Sequence, residues 1–171
     1  MSQILTSDTV ERTIQASPGV LYAIVSDVTR TPELSPEIKR CRWVRGATGP
    51  QVGARFVALN TLGGWKTWPN FPVVIAADPG REFAISRTEP LFGTLEWSYR
   101  FVPEGTATRV VESYTVTRPL TRAAYVLLRL SGSADRAAEL RTGMTTTLER
   151  LAQVAEREQG ELDRRGSDTS R

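Results

Sequence analysis

The sequence predicts an α+β fold in which a curved antiparallel β-sheet wraps around a long C-terminal helix. Three observations predict it. Residues 39–117 break into short alternating apolar and polar runs punctuated by Gly, Pro and Asp, the period of half-buried strands. Residues 134–158 switch to helical spacing, with Leu140, Met144, Thr147, Leu148, Leu151 and Val154 or Ala155 on one stripe. Ahead of the strands, Val20, Leu21, Ile24, Val25 and Val28 recur at helical spacing behind Ser17-Pro18. A strongly twisted sheet can curl around the long helix and bury its stripe against the inner face.

Each element follows from local signals. Val10 to Ala16 alternates weakly and reads as the first strand. Ser17 is a good N-cap and Pro18 suits the first helical position. Thr31-Pro32 restarts a second short helix, which Pro36 stops. Strands are expected over 39–46, 53–60, 67–77, 81–88, 94–102 and 108–117, with turns at Gly46–Gly53, Gly63-Gly64, Asp78-Pro79-Gly80 and Glu104-Gly105. Pro69 and Pro72 cannot donate ladder bonds, so the 67–77 strand is bulged or begins late. Gly132 separates a short apolar helix, 120–130, from the long one at 134–158. Residues 1–9 are expected to be a flexible N-terminus, 10–158 one domain, and 159–171 a disordered tail, since apolar residues thin out from Gly160.

Composition excludes several classes of function. A chain of 171 residues, 40% hydrophobic, fits one globular domain with room for a core and a cavity. No apolar run approaches the ~20 residues of a membrane helix, and Met1 to Thr9 lacks the features of a secretory signal. Cys41 is the only cysteine, so an internal disulfide is impossible and a cytoplasmic, reducing location is expected. The net charge of +3 is carried almost wholly by Arg interleaved with acids, as in Glu156-Arg157-Glu158. Arg40 and Arg42 alternate with Cys41 and Trp43 and read as a solvated strand face, so no nucleic-acid partner is expected. Histidine is absent, which removes the usual general base and any Ser-His-Asp or Cys-His mechanism. With one Cys and no His, no metal site is expected. Gly63-Gly64 lacks the spacing and the Lys-Ser/Thr of a phosphate loop, and no cofactor is expected.

The unusual face lies between Leu95 and Val116. Leu95, Trp97, Tyr99 and Phe101 alternate with polar residues, and so do Val110, Glu112, Tyr114 and Val116 coming back. Matching the apolar faces sets Phe101 against Val110, Tyr99 against Glu112 and Trp97 against Tyr114, with Glu104 to Ala107 as the loop. A slip of one residue would bury Arg100 instead. The buried face thus carries two Tyr, a Trp and a carboxylate where a plain core would use Val, Ile and Leu. That composition points to a pocket.

Burial without a charged partner would raise the Glu112 pKa and make it a candidate general acid or base. The alternative is a structural Glu satisfied by Tyr99 or by an Arg at the rim. Tyr99 and Tyr114 offer hydroxyl groups that can orient a carbonyl or phenol, or rings that fill core. Trp68 and Trp97 read as wall, Trp43 as core and Cys41 as a packed thiol. Phe56, Phe83, Ile85, Met144 and Leu148 are expected to line the apolar part, Met being adaptable. Asn60 ends the run Phe56, Ala58, Asn60 and serves either the cavity mouth or a turn.

Several segments, taken in order over about residues 8–155, resemble a START-like (SRPBCC) helix-grip protein of the polyketide cyclase/dehydrase-like branch. They are Ser17-Pro18 through Ser26-Asp27, Pro32 through Glu37, Gly53-Ala54-Arg55-Phe56, Pro79 through Phe83, Trp97 through Phe101, Thr108 through Tyr114, and Gly143-Met144 through Leu151. The resemblance implies a deep cavity for a hydrophobic ligand, roofed by the C-terminal helix. It does not imply one reaction, since members cyclise or dehydrate polyketides, carry lipids, bind hormones or assist other proteins. Relatives often carry Trp where Leu34 stands. Three readings follow. The first is a binding module for a polyketide-, lipid- or aromatic-like molecule. The second is an aromatic polyketide cyclase/dehydratase-type enzyme using Glu112 and the pocket tyrosines. The third is a protein-interaction module, or a homodimer, using the apolar helix at 120–130.

Overall fold

The alternation around the Glu104-Gly105 turn folds the chain back on itself as a long hairpin, and this hairpin is the spine of the sheet. In the computed structural model, which describes residues 4–61, 66–133 and 135–168, its arms are β7 (Gly93–Glu104) and β8 (Ala107–Arg118). The register is the one that buries both apolar faces: Phe101 faces Val110, Tyr99 faces Glu112 and Trp97 faces Tyr114. The turn is tighter than expected. Glu104 pairs with Ala107, leaving Gly105-Thr106 as a two-residue loop with Gly105 at φ +65°, a conformation that glycine reaches without steric cost.

Six further strands complete the sheet among the described residues: β1 (Ser7–Ile14), β2 (Ile38–Val44), β3 (Arg55–Thr61), β4 (Thr67–Asn70), β5 (Val73–Asp78) and β6 (Glu82–Glu89). They run antiparallel in the order β1-β8-β7-β6-β5-β3-β2, with β4 paired on β3. The expected 67–77 strand is two strands. Phe71 and Pro72 interrupt it, and Pro69 sits in β4, an edge strand paired with β3, where proline is tolerated. The Gly63-Gly64 turn lies outside the described residues.

Between β1 and β2 run α1 (Pro18–Ser26), one turn of 3-10 helix at 28–30, and α2 (Thr31–Leu34). Ser17 caps α1 by accepting from the Val20 N–H at 3.3 Å. After the sheet come α3 (Arg122–Leu130) and α4 (Arg136–Asp168). Gly132 ends α3 at φ +98°, and the Ser133 N–H returns to the Leu128 carbonyl at 2.9 Å, a left-handed stop that only glycine adopts cheaply.

Two boundaries differ from expectation. β1 begins at Ser7 and Leu5 is buried, so the ordered chain starts before residue 10. At the other end, α4 continues through the expected tail as far as Asp168. The composition beyond Gly160 is poor in apolar residues but rich in helix formers, and one Gly costs only about 1 kcal/mol. Contacts also anchor this stretch: the Ser17 N–H donates to Gln159 Oε1 at 3.0 Å, and Gln159 Nε2 donates to Asp163 at 2.9 Å. No helix among the described residues is long and apolar enough to cross a membrane.

The sheet curls around α4, whose buried side is Leu140, Met144, Thr147, Leu148, Leu151, Ala152 and Ala155. Leu151 is fully buried in the core shared with α1 and the inner face of the sheet. Leu151→Ala is expected to cost about 2–5 kcal/mol in urea unfolding; a loss below about 1 kcal/mol would mean the helix is not clamped there.

Candidate functional site

The inner face of the sheet is ordered in rows by strand register. Phe83, Tyr99 and Glu112 lie across β6, β7 and β8 in one row, Ile85, Trp97 and Tyr114 in the next, and Arg87 faces Leu95 beyond them. Over these rows α4 does not settle everywhere. A cavity of about 590 Å³ remains between sheet and helix, walled by α1, α2 and α3 as well. That volume suits a small molecule. The exposed lining residues Lys66, Leu127 and Ser131 mark the side on which it opens.

Of the residues expected to contact a ligand, Phe56, Asn60, Trp68, Phe83, Ile85, Trp97, Tyr99, Glu112 and Met144 line this cavity. Tyr114 and Leu148 do not. Tyr114 stacks on Trp97, ring centres 5.2 Å apart, and is covered by Leu5, Leu95, Leu140 and Met144. Its other side borders a separate surface depression with Asp8 and Arg141. Leu148 belongs to the core under α1. The catalytic candidates on the cavity wall are therefore Glu112 and Tyr99.

Glu112 is 2% exposed. Its Oε1 accepts two hydrogen bonds, from Tyr99 OH at 2.7 Å and from Trp97 Nε1–H at 3.1 Å. Its Oε2 has no partner in the protein. Burial pushes the carboxyl up to about 8, against the two hydrogen bonds, which pull it down. At neutral pH the group is mostly the neutral acid. With Oε1 occupied by two donors, the proton belongs on Oε2, which becomes a hydrogen-bond donor. Burial, then the neighbouring Glu112, also raises the Tyr99 phenol well above its ordinary value, so Tyr99 stays a hydroxyl. Tyr99→Phe removes one of the two bonds that favour the carboxylate. The Glu112 pKa is then expected to rise further, as read by carbon NMR of its carboxyl; an unchanged value would mean the bond is not formed.

The other residues behave more plainly. Asn60 Nδ2 donates to the Ala58 and Trp68 carbonyls at 3.1 and 3.4 Å, which ties β4 to β3 while Asn60 borders the cavity. Trp43 packs edge-on against Phe56. Cys41 is a buried thiol pushed up to about 11 by burial, unsuited to nucleophilic work. Leu34 is buried and lines the cavity.

Sequence reasoning missed a polar end. Glu37, Arg87, Glu89 and Arg136 also line the cavity. Arg136 is gripped by Glu37 through two bonds of 2.6 Å and approaches Glu139 at 3.3 Å. Burial is the largest influence and opposes its charge, but the bonds and charges of Glu37 and Glu139 together hold its pKa above the ordinary value. Arg87 was legible in principle, since Phe83, Ile85 and Arg87 continue one period-two face.

A curved antiparallel sheet gripping a long helix over an internal cavity is the helix-grip architecture, a ligand-binding fold of the START-like superfamily. The family model described as "Polyketide cyclase / dehydrase and lipid transport" matches residues 6–156, and the chain belongs to that family. Among solved structures, the di-domain ARO/CYC StfQ from the steffimycin biosynthetic pathway superposes with a TM-score of 0.73 at 14% identity, over 92% of this chain and 52% of that one. The chain thus spans about half the length of StfQ. Protein CV1439 from Chromobacterium violaceum gives a TM-score of 0.67 at 12% identity, covering 89% and 99% of the two chains. The Polyketide_cyc-like protein Cgl2372 from Corynebacterium glutamicum is 27% identical, with a TM-score of 0.52 and coverage of 96% and 97%. No curated protein matches the chain.

Proposed function

We propose that the protein binds one hydrophobic small molecule, polyketide-, lipid- or aromatic-like, between the sheet and α4. The observation that carries this is a cavity of about 590 Å³ whose wall is mainly apolar and includes the buried Glu112, whose Oε2 lacks a partner. Phe56, Phe83, Ile85, Trp97 and Met144 supply the apolar contact area, and burial of that kind drives association. Glu112 orients the bound molecule. Membership of a family described by polyketide cyclisation, dehydration and lipid transport supports this class of ligand.

Native mass spectrometry of the protein purified from its own host tests the reading. One non-covalent small-molecule adduct per chain, lost on organic extraction, is the expected result. A chain that carries no adduct and takes up no apolar probe would overturn it.

A second reading is favoured by one observation: a carboxyl pushed up to about 8 beside a tyrosine. Such an acid delivers or removes a proton near neutral pH, as cyclisation or dehydration of a polyketide requires, while the cavity holds a flexible chain in a reactive pose. Glu112→Gln is then expected to abolish turnover with ligand affinity nearly unchanged. Loss of affinity without any measurable reaction would identify a carrier.

A further inference from the structure

We propose that Arg87 anchors an oxyanion of the ligand, so that the cavity selects an amphipathic acid rather than a wholly apolar molecule. The proposal rests on the cavity-binding reading above and deepens it.

Arg87 lines the cavity on β6, yet its guanidinium forms no hydrogen bond with any described residue. Its one ion-pair contact, Nε to Glu89 Oε1, is 3.6 Å long, beyond hydrogen-bond reach. Glu89 Oε1 is itself buried without a hydrogen-bond partner. Arg136, by contrast, is committed to Glu37 at 2.6 Å, so Glu37 is not free to serve Arg87. Burial pulls the Arg87 pKa below the ordinary guanidinium value, and Glu89 and Glu37 do not offset it. A guanidinium stays charged in a protein and presents five donors in a planar fork. The Arg87 side chain is partly buried on a mostly apolar wall with that fork unmatched, and a carboxylate or sulfonate would match it bidentately.

The local charge agrees. With Glu112 protonated, the charged lining residues are Lys66, Arg87 and Arg136 against Glu37 and Glu89. Arg136 is taken up by Glu37 and Glu139, which leaves Lys66 at the mouth and Arg87 facing Glu89.

Geometry then sets the shape of the acid. Arg87 lies four residues along β6 from Phe83, the partner of Tyr99 in the Glu112 row, or about 13 Å at the usual strand rise. Ile85, Trp97 and Leu95 pave the interval. A ligand with its anion on Arg87 would lay an apolar body of two or three fused rings, or a medium-length chain, across that floor. Its far end would meet the hydrogen-bond donor of Glu112.

The test uses two fluorescent probes on the full chain: anilinonaphthalene sulfonate and its neutral parent, N-phenylnaphthylamine. Both should bind the wild type. Arg87→Gln should weaken the sulfonate tenfold or more and leave the neutral probe within about twofold. Glu89→Gln removes the competing carboxylate and should tighten the sulfonate several-fold while leaving the neutral probe within about twofold, a selective gain that loosened packing, which exposes apolar surface to both probes, does not produce. Equal loss of both probes in properly folded Arg87→Gln, or unchanged sulfonate affinity in both variants, would overturn the proposal while leaving cavity binding intact. Should Arg87→Gln fail to fold, the sulfonate affinity of Glu89→Gln decides alone. Failure of the wild type to bind either probe would instead overturn the cavity reading itself.

Discussion

Glu112→Gln is expected to stabilise the protein at pH 8 far more than at pH 5. The Glu112 carboxyl titrates near 8 in the folded chain against an ordinary value of 4.5. Below about pH 4.5 both states hold the proton, so the buried acid carries no pH-dependent penalty. Between the two values the unfolded chain releases its proton and the folded chain does not. Stability of the wild type therefore falls with rising pH, at up to about 1.4 kcal/mol per pH unit, and levels off above the folded value. Gln has the same shape, keeps an oxygen for Tyr99 and Trp97, and does not titrate. Urea unfolding of both proteins at pH 5 and 8 should show a gap that widens by several kcal/mol. Parallel pH profiles would mean that the carboxylate is solvated or paired, and that Glu112 is not a neutral donor facing the cavity.

Gly143→Phe is expected to separate stability from binding. Gly143 lies in α4 on the cavity wall, and a Cβ built there meets nothing within 4 Å. A helix-interior Gly is poorer than most residues by several tenths of a kcal/mol, so the variant should be as stable as the wild type or slightly more so. Its phenyl ring would project into the space a ligand needs. Affinity for N-phenylnaphthylamine should fall more than tenfold while the urea midpoint holds or rises. Core substitutions that lose binding through unfolding lower both together, which makes the opposite signs diagnostic. Unchanged affinity would place the ligand elsewhere.

The parts of the fold that were legible are those fixed by period and by steric punctuation. The β7–β8 register follows from matching Trp97, Tyr99 and Phe101 to Tyr114, Glu112 and Val110, because a slip buries Arg100. The α4 stripe follows from helical spacing, and the α1 start from Ser17-Pro18. Boundaries set by tertiary contacts were not legible. The stretch of α4 around Gly160 is anchored by Gln159 reaching Ser17, and the start of β1 by pairing with β8, contacts that no run of neighbouring residues announces. The same limit applies to the site. Tyr114 and Glu112 share a face of β8, yet only Glu112 reaches the cavity, since Trp97 stacks over Tyr114. Leu148 falls on the stripe of α4 that meets α1 rather than open space. Arg87 was missed because a lone Arg on an alternating strand reads as exposed, and only the assembled sheet shows that its fork is unmatched.

The central claim, that a small molecule sits between sheet and α4, is tested most directly by NMR of the wild type with bound N-phenylnaphthylamine. Intermolecular Overhauser contacts to the Met144 methyl and to Ile85 are predicted, since both line the cavity. Contacts confined to the exposed Val126 and Leu130 of α3 would contradict it and show that the apolar surface of that helix, not the cavity, holds the probe.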